Sequence, residues 1–402
     1  MSSSRIYDVI IVGGGMVGGS LAFALKNRSL DIALIEAFSI KKDQQPNYDD
    51  RGIALSYGSQ RIFETMGLWS QLKAYSTAID SIHISDRGHF GATRLSANQE
   101  KVPALGQVIL ARAMGQSLNQ ALREQTNLNL ICPASVESLM QKPESVTLSL
   151  NDGRQLSCRL LVAADGAQST IRNLLGLSVT ESEYHQTAIT GNISTSRAHQ
   201  GRAFERFTEH GPIALLPMSE NRSSLVWTVE TGTEKTILQM SDHDFLTELQ
   251  SQFGYRLGQF THVGKRSSYP LKLTQTDQPI QQRIVFIGNA AHSLHPIAGQ
   301  GFNLGLRDVA VLADLLSADY QDCGDARLLH NYQQWQSPVQ DSVITSTDIL
   351  VRLFSNANPL LGHMRSAGLS LLDILPPIKH CLAQNSMGLN NKQSRLARGI
   401  AL

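Results

Sequence analysis

Three stretches hold residues whose types and spacing can do chemistry. Gly13-Gly14-Gly15-Met16-Val17-Gly18 fits G-x-G-x-x-G. In that pattern Gly13 permits a tight turn, Gly15 lets backbone approach a pyrophosphate, and Gly18 lets a helix pack closely on a strand. Glu36 follows Gly15 by 21 residues, where a carboxylate accepts hydrogen bonds from ribose hydroxyls. The second stretch, Cys158 to Arg172, runs from an apolar segment into Asp165-Gly166. The third, Gly288-Asn289-Ala290-Ala291-His292-Ser293-Leu294-His295-Pro296-Ile297-Ala298-Gly299-Gln300-Gly301-Phe302-Asn303, reads as a strand end, a glycine- and proline-containing loop, and a helix beginning near Gly301. A helix start offers unpaired backbone N–H groups to a developing negative charge, and Asn303 falls in the first turn.

These residues need elements to position them. Tyr7 to Val12 is a short β-branched run of the kind found in buried parallel strands. Ala22 to Lys26 continues a helix and Asp31 to Glu36 forms a second buried strand, so residues 7–36 make one βαβ unit. Lys41 to Asp50 reads as an exposed loop, and residues 58–74 and 108–126 have helical spacing. Strands of a different layer are expected between about 80 and 100, as in Ile82-His83-Ile84-Ser85. Leu160 to Ala164 and Arg283 to Ile287 are further buried strands. From about 184 to 275 alternation such as Leu225-Val226-Trp227-Thr228-Val229 predicts an inserted antiparallel sheet. From Asn303 onward the chain reads as mostly helical. There is no internal repeat and no flexible linker.

The 402 residues allow two to three structural units at roughly 150 residues each. Lys and Arg number 35 against 34 acidic residues, giving a net charge of +1. That excludes nucleic acid as the main partner, because phosphate binding needs a basic stripe. Hydrophobic residues at 42% exclude intrinsic disorder. Cys132, Cys158, Cys323 and Cys381 are far apart, so no C-x-x-C pair or zinc ribbon forms, and buried reduced thiols are expected. The apolar run after Arg5 is too short for a signal-peptide core, and no stretch reaches the roughly 18 apolar residues of a membrane span. A cytoplasmic protein is expected, with any contact to the inner membrane peripheral.

The glycine fingerprint alone leaves NAD and FAD open. With the Asp165-Gly166 and Gly288–Asn303 stretches beside it, in this order, the chain resembles the group A flavoprotein aromatic hydroxylases of the p-hydroxybenzoate hydroxylase type over nearly its whole length. One departure is Asn289, where that family usually has Asp; asparagine keeps an acceptor oxygen and loses the charge. A narrower set, Asp50-Arg51-Gly52, Ser85-Asp86-Arg87-Gly88, Gly201-Arg202-Ala203-Phe204-Glu205-Arg206-Phe207-Thr208 with Gly211-Pro212, and Gly264-Lys265-Arg266-Ser267, is similar to the ubiquinone-biosynthesis hydroxylases.

The resemblance implies an α/β fold: an FAD-binding, Rossmann-like domain of the p-hydroxybenzoate hydroxylase/glutathione reductase type, an inserted antiparallel-sheet substrate domain and a helical C-terminus. The expected division is 1–78, 101–183 and 276–335 for FAD, 79–100 and 184–275 for substrate, and 336–402 for the helical region. The implied cofactor-binding residues are Gly13, Gly15, Met16, Val17, Gly18, Glu36, Arg51, Arg112, Asp165, Gly166, Gly288, Asn289, Pro296, Gly299, Gln300, Gly301, Phe302 and Asn303. For Arg51 and Arg112 the alternative is a solvated surface position. The implied reaction is hydroxylation of a polyprenylated phenol such as 2-octaprenyl-6-methoxyphenol, with NAD(P)H as reductant, O2 as co-substrate and a hydroperoxide at flavin C4a. A separate NAD(P)H-binding fold is not expected, since Gly299, Gly301 and Gly305 miss the fingerprint spacing by one.

His295 and Pro296 are the catalytic candidates: His295 either polarises the phenol or supports its loop. The H-x-x-H spacing of His292 and His295 lacks a third metal ligand nearby, so no metal is expected. No G-x-S-x-G elbow supports a serine hydrolase. Trp69, Trp227 and Trp335 are isolated, unlike the W-x-W-x-I-P segment of flavin halogenases, and paired cysteines for a dithiol reductase are missing. A non-catalytic scaffold of a biosynthetic assembly remains the rival from another class, with Asn289 in its favour. The apolar tail from Asn358 to Ala383 is either a helical cap or a contact for a membrane or partner protein.

Overall fold

The computed structural model describes residues 5–39, 51–318, 321–354, 359–390 and 392–402; the loop expected at Lys41 to Asp50 lies outside them. Among the described residues the strands form three sheets. The first is centred on Ile6–Val12, which pairs in parallel with Ile32–Ile35 on one side (Val9 opposite Ile32) and with Gln155–Ala163 on the other (Val9 opposite Leu160). Leu128–Ile131 and Ile284–Phe286 extend it, also in parallel. Val9, Ile10 and Ile11 are completely buried, which is why the run is continuously apolar rather than alternating.

The first helix is Met16–Ala24, starting directly at the fingerprint and ending two residues short of the expected Lys26. It packs on the later helix Gln300–Leu316, with Val17 lying where a Cβ on Gly288 or Gly305 would meet it at 3.0 Å. Residues 108–126 divide into a strand, Gly106–Leu110, and a helix, Ala111–Arg123. That strand sits between Gly52–Ser56 and Ser76–Ile79 in a small antiparallel sheet. The helix Tyr57–Met66 ends at Gly67, whose φ of +80° favours a residue without Cβ.

The nine-stranded second sheet gathers Ser81–Asp86 and Ala92–Ser96 with strands from Val179–Thr195 through His292–Ser293. It is antiparallel except where Arg202–Thr208 runs beside Ser81–Asp86. The region 184–275 is not sheet throughout, because Glu234–Gln239 and Asp242–Phe253 are helices. Ser241 caps the second by accepting from the Asp244 N–H, and Phe245, Leu249 and Phe253, spaced by four, are all fully buried beneath the sheet.

The C-terminal part is helical: Ala326–Phe354, Pro359–Ile374 and Pro376–Met387. Ala326–Phe354 runs through the expected 335/336 boundary, with Pro338 inside it. Pro359–Ile374 lies across the edge of the second sheet. Thr93 Oγ1 donates to the Leu369 carbonyl at 2.7 Å, Gly91 N–H donates to Ser366 Oγ at 2.8 Å, and buried Arg365 pairs with buried Asp86 at 3.2 Å. Of the four cysteines, all free, Cys158 and Cys323 are buried, Cys132 is half-buried and Cys381 is exposed. The expectation of buried thiols therefore holds at Cys158 and Cys323 and fails at Cys132 and at Cys381, which lies exposed on a terminal helix.

Candidate active site

The fingerprint turn is built by contacts that only glycine allows. Gly13 has φ +102°, and a Cβ there would meet the Ala164 carbonyl oxygen at 2.4 Å. A Cβ on Gly18 would meet the Gly13 carbonyl oxygen at 2.0 Å. Gly15 differs: its φ is −65° and a Cβ would find no atom within 4 Å. Open space therefore faces the start of Met16–Ala24, which has no side-chain cap, so its N–H groups are available to a phosphate. Glu36 is fixed beside this turn, accepting from the Gly14 N–H at 2.7 Å and from the Phe38 N–H at 2.9 Å.

At the end of the neighbouring strand, Asp165 accepts from the Ile171 N–H through Oδ2, while its buried Oδ1 has no partner among the described residues. Burial raises its pKa against the opposing pull of Ser169 and nearby N–H groups. Gly166 follows with φ +86° and open space around it. Buried Arg172 ties this loop to the third stretch, donating to the carbonyls of Ala167 (2.6 Å) and Ala290 (3.4 Å).

The third stretch is held by a buried carboxylate that the sequence reading passed over. Asp308, on Gln300–Leu316, receives the Gly288 N–H at 2.9 Å, His292 Nε2 at 2.7 Å, and the amides of Gln336 (2.7 Å) and Gln340 (2.9 Å). Burial opposes its charge, but His292 and these donors hold its pKa below the usual carboxylate value. A lone Asp among Val309, Ala310 and Val311 on an apolar helix was the available signal. His292 is thereby a structural partner of Asp308, and no group of three or more His, Cys, Asp or Glu suited to a metal exists among the described residues.

His295 is fully buried. Its Nδ1 accepts from the Ile297 N–H at 3.2 Å, and its ring meets Tyr184 edge-on at 5.3 Å. Burial pushes its pKa down to about 4, so the ring is neutral at pH 7. It lies behind the wall of the cavity described next, whereas Pro296 lines that wall. The Ile297 contact ties the ring to its own loop, while its buried Nε2 has no hydrogen-bond partner among the described residues. Gly299 takes φ +61° and precedes the helix without a side-chain cap. Asn303 braces the turn: it accepts from the Ser56 N–H at 2.8 Å and donates to the carbonyls of Ala54 (2.9 Å) and Gly299 (2.7 Å).

One cavity of about 770 Å³ joins these parts. Met16, Arg51, Asn289, Pro296 and Gly299 to Asn303 line it from the nucleotide side. Its far side is the face of the second sheet. The register runs Thr93, Ile84, Glu205, Ala214, Val226, Thr190 across six strands, and every member of that row lines the cavity. Leu369, Leu372, Leu382 and Met387 close it from the terminal helices. Gly13, Gly15, Val17, Gly18, Glu36, Asp165, Gly166 and Gly288 stand outside this cavity, forming the cradle beside it. Arg112 is exposed, one residue past Ala111, whose N–H donates to the Arg51 carbonyl at 3.0 Å. Asn289 is exposed at the cavity wall.

These features fit FAD. The space at Gly15 would take a pyrophosphate, Glu36 would face a ribose, and the uncapped helix start at Gly299 to Gly301 would face the electron-rich edge of a reduced ring. The unpartnered oxygen of Asp165 is a polar site waiting for a donor.

A family model described as the FAD binding domain matches residues 6–347. The ubiquinone hydroxylase UbiL of Rhodospirillum rubrum is 35% identical over 412 aligned positions, covering 100% of this chain and 95% of that protein. The 3-demethoxyubiquinol 3-hydroxylase of Escherichia coli is 29% identical, covering 95% and 98%. The crystal structure of p-nitrophenol 4-monooxygenase PnpA from Pseudomonas putida superposes with a TM-score of 0.79 at 17% identity, covering 97% of this chain and all of that one. The chain belongs to the FAD-dependent hydroxylases that share this FAD-binding domain and include the ubiquinone hydroxylases.

Proposed function

We propose that the protein hydroxylates a polyprenylated phenol in ubiquinone biosynthesis, using NAD(P)H and O2. The observation that carries this reading is the cavity of about 770 Å³, which puts the uncapped helix start at Gly299 to Asn303 opposite a mostly apolar set of side chains on the sheet face. The similarity to hydroxylases whose names specify ubiquinone compounds supports the pathway. FAD, when bound, supplies the redox chemistry with NAD(P)H and O2.

The chain's own residues bind, orient and keep water out. Segments 1–78, 101–183 and 276–335 hold the cofactor, with Arg51 and Arg112 at its edge, while 79–100 and 184–275 hold the ring. Pro296 forms the wall between them, and His295 fixes that loop from behind. Ile82, Ile84, Leu216 and Val226 below, with Leu369 and Leu372 above, exclude water from the reacting ring, which keeps reduction coupled to hydroxylation. The region 336–402 provides the upper wall.

No helix among the described residues is long and apolar enough to cross a membrane. Phe90, Met364, Leu371 and Ile374 are nonetheless strongly exposed, Phe90 completely. They lie on the outer side of the elements whose inner side lines the cavity, and they serve as a peripheral lipid contact through which a prenyl-tailed substrate enters. The pair Leu371→Ser and Ile374→Ser lowers co-sedimentation with anionic phospholipid vesicles while FAD content stays constant; unchanged co-sedimentation overturns this contact.

The test of the activity is NAD(P)H oxidation by the FAD-loaded protein with and without 2-geranylphenol, with mass analysis of the product. Stimulated oxidation and a product one oxygen heavier are expected. FAD binding with no phenol-dependent oxidation overturns the reading in favour of a non-catalytic scaffold.

A further inference from the structure

The row across the sheet face contains one acid. Glu205 sits on Arg202–Thr208, opposite Ile84 on one neighbouring strand and Ala214 on the other. Its own strand contributes Ala203 and Phe207 to the same cavity. Its Oε1 is buried and has no hydrogen-bond partner among the described residues. Two other polar side chains of the row, Thr93 and Thr190, are engaged with the backbone at Leu369 and Ser267. An unpaired buried acceptor costs about 1–3 kcal/mol, and an alanine or leucine at this place in an apolar wall avoids that cost. A polar group kept there without a protein partner points to a ligand that supplies one.

We propose that Glu205 is the group that recognises the hydroxyl of the substrate ring, through a direct hydrogen bond within the cavity. This rests on the aromatic-hydroxylase reading and adds to it the residue that distinguishes a phenol from a plain arene. Burial alone pushes the carboxyl up to about 8, so at neutral pH it is a neutral acid with one O–H to donate and an acceptor oxygen. A phenol likewise offers one donor and one acceptor, and the two match in either direction. The neutral form also explains how an acid is tolerated among Ile84, Ala214 and Phe207 without a cationic partner. A ring lacking the hydroxyl leaves Oε1 unpaired, and sites of this kind reject such analogues more strongly than an apolar pocket rejects a missing methylene.

The test compares 2-geranylphenol with geranylbenzene, each titrated into the FAD-loaded protein and followed by the change in flavin absorbance. The wild type is expected to bind the phenol roughly tenfold or more tightly than the arene. Glu205→Leu and Glu205→Met, two apolar replacements of similar length, are expected to bring the two affinities within about twofold, chiefly by weakening the phenol. Glu205→Gln, which keeps a donor and an acceptor, restores part of the preference. FAD affinity should match the wild type in all three, and none should melt below it, since each removes the cost of the buried acid. If the apolar variants keep the tenfold preference, the assignment to Glu205 is wrong while the hydroxylase reading stands. If the wild type binds both rings equally, Glu205 has no recognition role. If it binds neither, both readings fall together.

Discussion

Glu205 and His295 make opposite demands on pH. An ordinary glutamate loses its proton near pH 4.5, whereas Glu205 in the folded chain holds its proton up to about 8. Below 4.5 both folded and unfolded chains are protonated. Between the two values only the folded chain is, so stability falls as pH rises through this window and the loss is complete above pH 8. Glu205→Gln should therefore be more stable than wild type at pH 9, by on the order of 4–5 kcal/mol, and the difference should shrink toward pH 5 in urea melts. His295 acts in the other direction. Its ordinary value of 6.5 is lowered to about 4 by burial, so the unfolded chain takes up a proton between those values and the folded chain does not. Stability falls as pH drops through 6.5 toward 4. His295→Gln should flatten that acid limb in part only, because His83, lowered to about 4 by burial and by nearby arginines, contributes a similar loss.

The fingerprint turn separates two kinds of glycine, and substitutions tell them apart. Gly18→Ala drives a Cβ into the Gly13 carbonyl oxygen and should cost about 1–3 kcal/mol of stability. Gly15→Ala meets nothing and needs no unusual backbone angle. It should leave the melting temperature of the apoprotein unchanged yet weaken FAD binding by about tenfold, or ~1.4 kcal/mol, because the space it fills belongs to the pyrophosphate. Equal FAD affinity in Gly15→Ala, measured by fluorescence quenching, contradicts this placement.

The same elements show why some of the molecule can be read directly from residue order. The βαβ unit was legible because Tyr7 to Val12, the glycines and Glu36 are local signals within one short stretch. The helix at Asp242–Phe253 carried an equally local sign in Phe245, Leu249 and Phe253, but it was masked by the alternating segments on either side. Asp308 and Glu205 were not legible as special. Each becomes so only through partners, or the lack of them, contributed by segments distant in sequence: Gly288, Gln336 and Gln340 around Asp308, and Ile84 and Ala214 around Glu205.

At the scale of the whole molecule, the upper wall of the cavity depends on a few ties. Arg365 bridges Asp86 at 3.2 Å with both side chains nearly inaccessible, and the Arg365 guanidinium also donates to the Leu353 carbonyl at 2.9 Å. Phe207 stacks on Phe354 at 3.8 Å, fastening the same wall to the sheet. Removing one partner of a buried ion pair costs about 3–5 kcal/mol, because the other charge is left behind. His89, 3.2 Å from Asp86, shares that burden, so Arg365→Leu should fall at or below the lower end of that range. It should also raise the fraction of NAD(P)H spent on hydrogen peroxide rather than product, as water reaches the ring. Peroxide yield per NAD(P)H consumed, set against wild type, checks this.

The cavity's floor and lid are made at very different times on the ribosome. Leu95 and the Ile82–Ile84 segment emerge before Glu205 and Ala214, and these well before Leu369 to Met387. A greasy sheet face thus stays wet through much of translation, with nothing of its own to cover it, and pairings between far-apart segments form slowly. Nascent chains halted before Pro359 should accordingly be held by chaperones, and a free supply of FAD cannot rescue them until the lid has been made.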